Sequence, residues 1–430
     1  MWSMKNLGDA FLTKHIGSRM IVLGTFMRER SEQNVDGNYG VVHFLGDARD
    51  VHDLYCFSKE SNGAPFVSRA YIQRIHQGKR AANDICSWAG HLAECRLPDH
   101  HRGPFRIGTI DDPEQSLLVT PEVPKEEKKH ELAVCVAPMY IYMDWEIMLT
   151  GIETWLALGA TKIIVPIQSA SETTYNILRA YEKRGIEESH VNCLFHVKPF
   201  ADMVVFTDID DMLLPVDPTE IRAGGNIEII KRLFTSHPQA GSLLFEHRDT
   251  QLRLPSASPA SLGTFNFDFL HDSKSKQNCQ VWRMKTRVVV KAARVDSVNM
   301  HETGIHRYGY VQTRVPCRNW RRRLLSTFGD LSNTTLSRSD TESFADFDRC
   351  MSAINEEHWT LSVSRCLTPH VCFSRLKREV ACVASDTDYS FVRSGDGYLI
   401  AQNNHRFIPS LHNCEAPVPP FTEGNHFFAP

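Results

Sequence analysis

The chain has 430 residues, 42% of them apolar and 10% aromatic, enough to bury a sizeable core in two domains or in one large domain with an appendage. A net charge of −3 and a pI near 6.7 give no electrostatic footprint for nucleic acid, and the densest basic cluster, Arg318-Asn-Trp-Arg-Arg-Arg323, reads as a solvated face. No run approaches the roughly 20 apolar residues that span a bilayer, Met20 to Met27 being far too short, and no secretory pattern opens at Met1.

Residues 1–118 alternate short apolar runs with turn signals. Gly40–Leu45, Asp53–Phe57, Ala64–Val67 and Phe105–Ile110 read as strands, which predicts a small β-rich N-terminal module. Residues 119–131, rich in proline and charge from Thr120 to Glu131, read as a solvated linker. A larger domain is expected over 132–350, and a C-terminal extension over 351–430.

After the linker the period changes. Leu132-Ala-Val-Cys-Val-Ala-Pro138 is a continuous apolar run, the pattern of a parallel strand covered on both faces. A helix follows, capped by Asp144, with Met148, Ile152, Trp155 and Leu156 as its apolar stripe and Gly159 closing it. Thr161–Ile167 is a second buried strand. Ser171 caps a second helix that places Ile177, Leu178 and Tyr181 inward and ends on Lys183, Arg184 and Gly185, and a third helix fits Ser189 to Val197. Met203-Val-Val-Phe-Thr-Asp-Ile-Asp-Asp-Met-Leu-Leu-Pro215 is then a buried strand ending in carboxylates. Beyond it come a helix over Asn226–Ser236, strands over Gly241–Glu246 and Arg287–Lys291, and a loop-like stretch from Leu254 to Asn278. This β-α-β-α-(α)-β order predicts an α/β fold with a mostly parallel sheet flanked by helices.

Residues two apart on an extended chain point the same way, so Asp208 and Asp210 would offer oxygen ligands to one spot, which suits Mg²⁺, Mn²⁺ or Ca²⁺. An Asp-x-Asp alone fits an acidic turn as well. Twelve cysteines form no Cys-x-x-Cys pair, which argues against a zinc ribbon or thioredoxin-type site; reduced buried thiols and lumenal disulfides both remain open. Asn333-Thr-Thr is a single glycosylation acceptor.

Ala133-Val-Cys-Val-Ala-Pro-Met-Tyr-Ile-Tyr142, Trp145 to Gly159, Lys162-Ile-Ile-Val-Pro-Ile-Gln168, Ser189-His-Val-Asn-Cys-Leu-Phe-His196 and the run around Asp208 to Pro215 resemble glycosyltransferase family 92, over roughly residues 130 to 310. The resemblance implies a GT-A type fold, a UDP-sugar donor held by Mn²⁺ (or Mg²⁺), and inverting transfer of galactose from UDP-galactose to a glycan or glycoprotein acceptor. It also implies a lumenal Golgi enzyme with an N-terminal membrane anchor, a segment this chain does not display.

On the family's pattern Asp208 faces the ribose, Asp208 and Asp210 take the metal, and Asp211 lies outside the ligand set. His301 stands where such enzymes complete the metal site. Inverting transfer needs a base for the acceptor hydroxyl; Glu246 is the first candidate, with Asp249 behind it. Gln168 and Ser169 are placed to touch the nucleotide base or ribose. Two alternatives stand beside this reading: an inactive nucleotide-sugar or glycan-binding relative, and an aspartyl-nucleophile phosphatase, disfavoured because its Asp-x-Asp strand opens the domain whereas two strand-helix units precede this one. One departure from the family bears on the first alternative. Only Ile186, Glu187 and Glu188 separate the second and third helices, where relatives carry a further segment including a strand.

Overall fold

The computed structural model describes residues 19–47, 51–75, 88–122, 129–213, 222–251, 274–275, 286–315 and 381–413, apart from short breaks within these stretches. Of the sequence features above, Gln168, Asp249, the cluster at Arg318–Arg323, Asn333 and most of the linker and of the 254–278 stretch lie outside the described residues.

The first half is β. Strands β1 (Arg19–Arg30), β2 (Asp36–Asp47), β5 (Tyr71–Arg74) and β6 (Trp88–Leu97) belong to one sheet, and β3 (Tyr55–Lys59), β4 (Pro65–Arg69), β7 (Phe105–Gly108) and β8 (Leu117–Val119) to another. Their inward residues, among them Met20, Val22, Phe44, Leu54, Leu97, Phe105 and Ile107, form one core, and the Cys56–Cys95 disulfide ties β3 to β6 across it. The sequence reading misses β1, β5, β6 and β8.

The second half is α/β, built on β9 (His130–Val136), α1 (Trp145–Ala157), β10 (Lys162–Val165), β11 (Ser169–Ser171), α2 (Glu172–Tyr181), β12 (Ile186–Glu188), α3 (Cys193–Val197), β13 (Ala201–Thr207), α4 (Gly225–Ser236) and β14 (Ala240–Glu246). A two-residue pair, β15 (Thr250–Gln251) and β16 (Lys274–Ser275), precedes β17 (Thr286–Lys291), β18 (Val295–Val298), β19 (Thr303–His306) and β20 (Val311–Val315). The central sheet runs β12-β10-β9-β13-β17-β14-β20. Strands β12, β10, β9 and β13 are mutually parallel, β17 is antiparallel to both neighbours, and β14 pairs parallel with β20.

The continuous apolar runs are explained by burial on both faces. Because successive strand side chains point opposite ways, Leu132, Val134, Ile163, Val165, Met203 and Val205 pack under α1, α2 and α4, while Ala133, Cys135, Ile164, Val204 and Phe206 face α3. The Cys135–Cys193 disulfide fastens α3 to β9 on that second face. Ser171 caps α2 as its sequence suggests, its hydroxyl accepting from the Thr174 amide at 3.2 Å. At the end of α1 the chain turns through Gly159 at φ +112°, and the Ala160 amide reaches back to the Trp155 carbonyl at 2.9 Å.

The segment between the second and third helices is corrected by the structure. Ile186–Glu188 is not a bare turn; it is the edge strand β12, in parallel register with Ile163–Val165, and Ile186 is buried in the main core. An apolar residue beside an exposed sheet edge is drawn into pairing, which a count of connecting residues does not reveal. A hairpin, β21 (Ala381–Ser394) and β22 (Tyr398–Asn413), lies between β1 and β11 in the first sheet, so the chain's C-terminal strands join its N-terminal module to the loop beyond β10.

Candidate functional site

Three strand ends meet at one edge of the central sheet. Phe206 pairs with Val288 and Phe245 with Arg287, so Thr207 and Asp208 at the end of β13, Thr286 and Arg287 at the start of β17, and Phe245 and Glu246 at the end of β14 stand side by side. Glu246 is opposite Thr286 in this register, two strands from the acidic turn. The Ala137 amide bonds the Thr207 carbonyl at 2.8 Å, bringing the end of β9 to the same edge.

Asp208 and Asp210 do not alternate on an extended strand, as the Asp-x-Asp spacing suggests. β13 stops at Thr207, and the chain turns at once, the Asp211 amide bonding the Asp208 carbonyl at 3.1 Å. The turn, rather than strand periodicity, brings ligand atoms of Asp208, Asp210 and Asp211 within 4.8 Å of one another. Asp211 is the buried member. Its Oδ2 accepts from the Asp208 amide at 3.1 Å, from the Thr207 hydroxyl at 3.3 Å and from Arg287 Nε, while its carbonyl accepts from Trp155 Nε1 at 3.1 Å.

Helix α1 is held against this turn by a glycine. A Cβ on Gly151 would stand 2.1 Å from the Ile209 carbonyl oxygen, so any larger residue there must displace the turn or the helix. From the other side Asn226, buried at the start of α4, donates to the Leu213 carbonyl at 2.9 Å.

Arg287 is the residue that the sequence reading of the site misses. Its Nη2 donates to Asp208 Oδ2 at 2.5 Å and its Nε to Asp211 Oδ2, so one planar guanidinium spans two carboxylates. The available signal was a cation opening an apolar strand that must pair with the acidic one. Burial pushes the Asp208 carboxyl above its ordinary value; Arg287 draws it down, and Asp211 and Asp210 raise it further. His301 lies at the rim, exposed, with Nδ1 3.2 Å from Arg287 Nη1 and 3.1 Å from the Thr286 carbonyl oxygen. A single ring nitrogen can serve only one of these at a time, accepting from Arg287 or donating to Thr286. Ser169 begins β11 just past the end of β10, at the strand edge that the hairpin covers.

The donor set is therefore oxygen-rich and suits a hard divalent cation. Among the described residues no helix is long and apolar enough to cross a membrane.

Comparison with known proteins supplies the family. The model of glycosyltransferase family 92 matches residues 130–188 and 186–360, more than half of the chain. The glycosyltransferase family 92 protein F59C6.8 of Caenorhabditis elegans is 24% identical over 54% of this chain and 47% of its own length, so the chain spans about half the length of that curated relative. Two crystal structures of S. aureus TarS 1-349 align at 13% and 12% identity, covering 38% and 54% of this chain and 47% and 72% of theirs; the second is a complex with UDP. Their TM-scores of 0.20 and 0.21 are too low to inform the fold or the ligand. The extent of the family match, with the acidic strand end inside it, makes this chain a member of glycosyltransferase family 92.

Proposed function

We propose that this chain is a GT-A type glycosyltransferase that moves a hexosyl group, galactose, from a UDP-sugar to a glycan or glycoprotein hydroxyl with inversion, using Mn²⁺ or Mg²⁺. The observation that carries the reading is the convergence of Asp208, Asp210 and Asp211 at the C-terminal end of a central parallel strand, where α/β sheets bind their ligands. Four adjacent parallel strands, with β17 inserted antiparallel between β13 and β14, support the GT-A assignment.

When bound, a divalent cation supplies charge to the departing diphosphate. Asp208 and Asp210 would hold it, with His301 beside them. Asp208 orients the ribose, while Ser169 and Gln168 flank the nucleotide. Glu246 takes the proton from the acceptor hydroxyl, with Asp249 as the alternative; the base matters because the attacking oxygen becomes a competent nucleophile only as its proton leaves. The two disulfides fit an oxidising compartment, and on the family reading we place the chain in the Golgi lumen.

A second reading, a nucleotide-sugar-binding relative without turnover, is favoured by one observation. The family match falls into two stretches meeting at residues 186–188, where β12 supplies only three residues to the edge of the sheet. Screening the full chain against nucleotide sugars, with Mn²⁺ and with EDTA, separates the readings. Mn²⁺-dependent transfer from UDP-galactose supports the enzyme; donor binding with no turnover supports the binding protein; neither result with any donor contradicts both.

A further inference from the structure

Arg287 does more than lie near the carboxylates. This guanidinium, its side chain 11% exposed, engages Asp208 through Nη2 and Asp211 through Nε, with Nη1 turned to the Thr286 carbonyl at 3.0 Å, so it fixes the two carboxylates relative to one another. Asp211 is the more heavily engaged: its Oδ2 collects the guanidinium, an amide and a hydroxyl. Asp208 Oδ2 takes the guanidinium, and its side chain is 37% exposed against 9% for Asp211.

We propose that Arg287 is the positioning residue of the cation site. It cancels Asp211, withdrawing that carboxylate from the ligand set, and pins Asp208, so that a single divalent ion is carried by Asp208 and Asp210. The inference rests on the cation-dependent reading given above, and it assigns Arg287 a role that acts through the two aspartates rather than on substrate. Two consequences of removing Arg287 oppose each other. Loss of a partner that orients a ligand weakens metal sites about 10–100-fold. Loss of a positive charge held against the same carboxylates, with Asp211 uncovered at the same time, strengthens attraction for a doubly charged ion, and at separations of a few ångströms that Coulomb change is the larger.

The test is direct Mn²⁺ uptake by the full chain without donor, followed by calorimetry and by the electron paramagnetic resonance of unbound Mn²⁺. Arg287→Met is expected to bind Mn²⁺ about tenfold more tightly than wild type and Asp211→Asn more weakly. The double variant, Arg287→Met with Asp211→Asn, restores the net charge and is expected to return within about twofold of wild type. It also removes both members of the buried pair, so the charge argument stays testable should Arg287→Met, which takes the guanidinium from Asp211, lose stability. Asp210→Asn is expected to lose the ion in every background. A double variant as weak as Asp210→Asn would mean that Asp211 is itself a ligand, and Arg287→Met equal to wild type would mean that the guanidinium does not set the site; either overturns the inference while the cation reading stands. A wild-type chain that takes up no Mn²⁺ at millimolar concentration overturns both.

Discussion

Among the described residues, a buried charge cluster and the partly exposed acidic turn are built differently. At the junction of the β module and the α/β sheet, Arg28 of β1 pairs with Glu94 of β6 and, at 2.6 Å, with Asp296 of β18, which also accepts from Lys198 at 2.5 Å. Arg28 and Lys198 meet Glu94 and Asp296, with Arg307 also acting on Lys198, and Asp296 is completely buried. Burial presses the Lys198 ammonium below its ordinary value and Asp296 pulls it back. Beside them Phe26 stacks on Phe195 with ring centroids 4.1 Å apart, so the junction is apolar as well as ionic. At the acidic turn, three carboxylates meet one guanidinium. Buried charge is tolerated when it is paired. The junction pairs its charges with the chain's own residues and acts as a clamp; the turn gathers three carboxylates around one guanidinium at a strand edge where a ligand can bind.

The largest effect should come from breaking the buried cluster. Asp296→Ala takes from Lys198 the carboxylate it donates to, leaves Arg28 with Glu94, and is expected to lower stability by about 3–5 kcal/mol, read from urea unfolding followed by circular dichroism. A midpoint unchanged within error would show that the junction is hydrated and contributes nothing. Next, Glu246→Gln is expected to cut turnover about a hundredfold with donor affinity nearly unchanged, as loss of a base acting only in the transition state should. Steady-state kinetics decides this, and an unchanged kcat removes Glu246 from the mechanism.

Gly151→Ala sharpens the contrast because it touches only the acidic turn. Overpacking against the Ile209 carbonyl is expected to cost about 1–3 kcal/mol and to weaken Mn²⁺ uptake, since the whole turn must shift. Stability lost without any change in Mn²⁺ affinity would detach the turn from the cation site.

The smallest effect is one of pH. Burial, with His91 beside it, lowers His43 to about 4 from an ordinary 6.5; burial and His52 lower His91 to the same value. Folding therefore favours their neutral forms, so stability is unaffected above pH 6.5 and falls as pH drops from 6.5 towards 4. Burial raises Glu122 to about 7 from an ordinary 4.5, which works the other way: its cost grows between pH 4.5 and 7 and is relieved on acidification. With three imidazoles, burial lowering His306 as well, against the raised carboxyls of Glu122 and Asp208, the melting temperature is expected to drop a few degrees between pH 7 and pH 4.5. His91→Phe, which keeps a ring stacked on Phe44, should flatten part of that slope. A slope that the substitution leaves intact places the titrating groups elsewhere.

The legibility of the molecule in its sequence follows the same division. Strands β9, β10 and β13 could be read because burial on both faces writes an unbroken apolar run, and α1 and α2 because their stripes and terminal signals are local. The three-residue strand β12 could not, since its pairing with β10 is a tertiary event with no periodicity of its own. The β21–β22 hairpin is paired to β1 and β11, hundreds of residues away in sequence, and so escapes any local pattern. At the site, the three aspartates are visible as residue types, but strand alternation accounts only for Asp208 with Asp210, whereas a turn closed by the Asp211 amide brings all three together. Arg287 was legible only as the first residue of a strand; its partners depend on the antiparallel register that places Val288 opposite Phe206.

The central claim is that the acidic turn holds the donor through a divalent cation. It is tested most directly by titrating UDP into the full chain by calorimetry, with Mn²⁺ and with EDTA, in wild type and in Asp210→Asn. The account predicts saturable binding to wild type with Mn²⁺ that is lost both in EDTA and in the variant, while circular dichroism shows the variant folded. Equal UDP affinity in Mn²⁺ and in EDTA, or in wild type and Asp210→Asn, would contradict it.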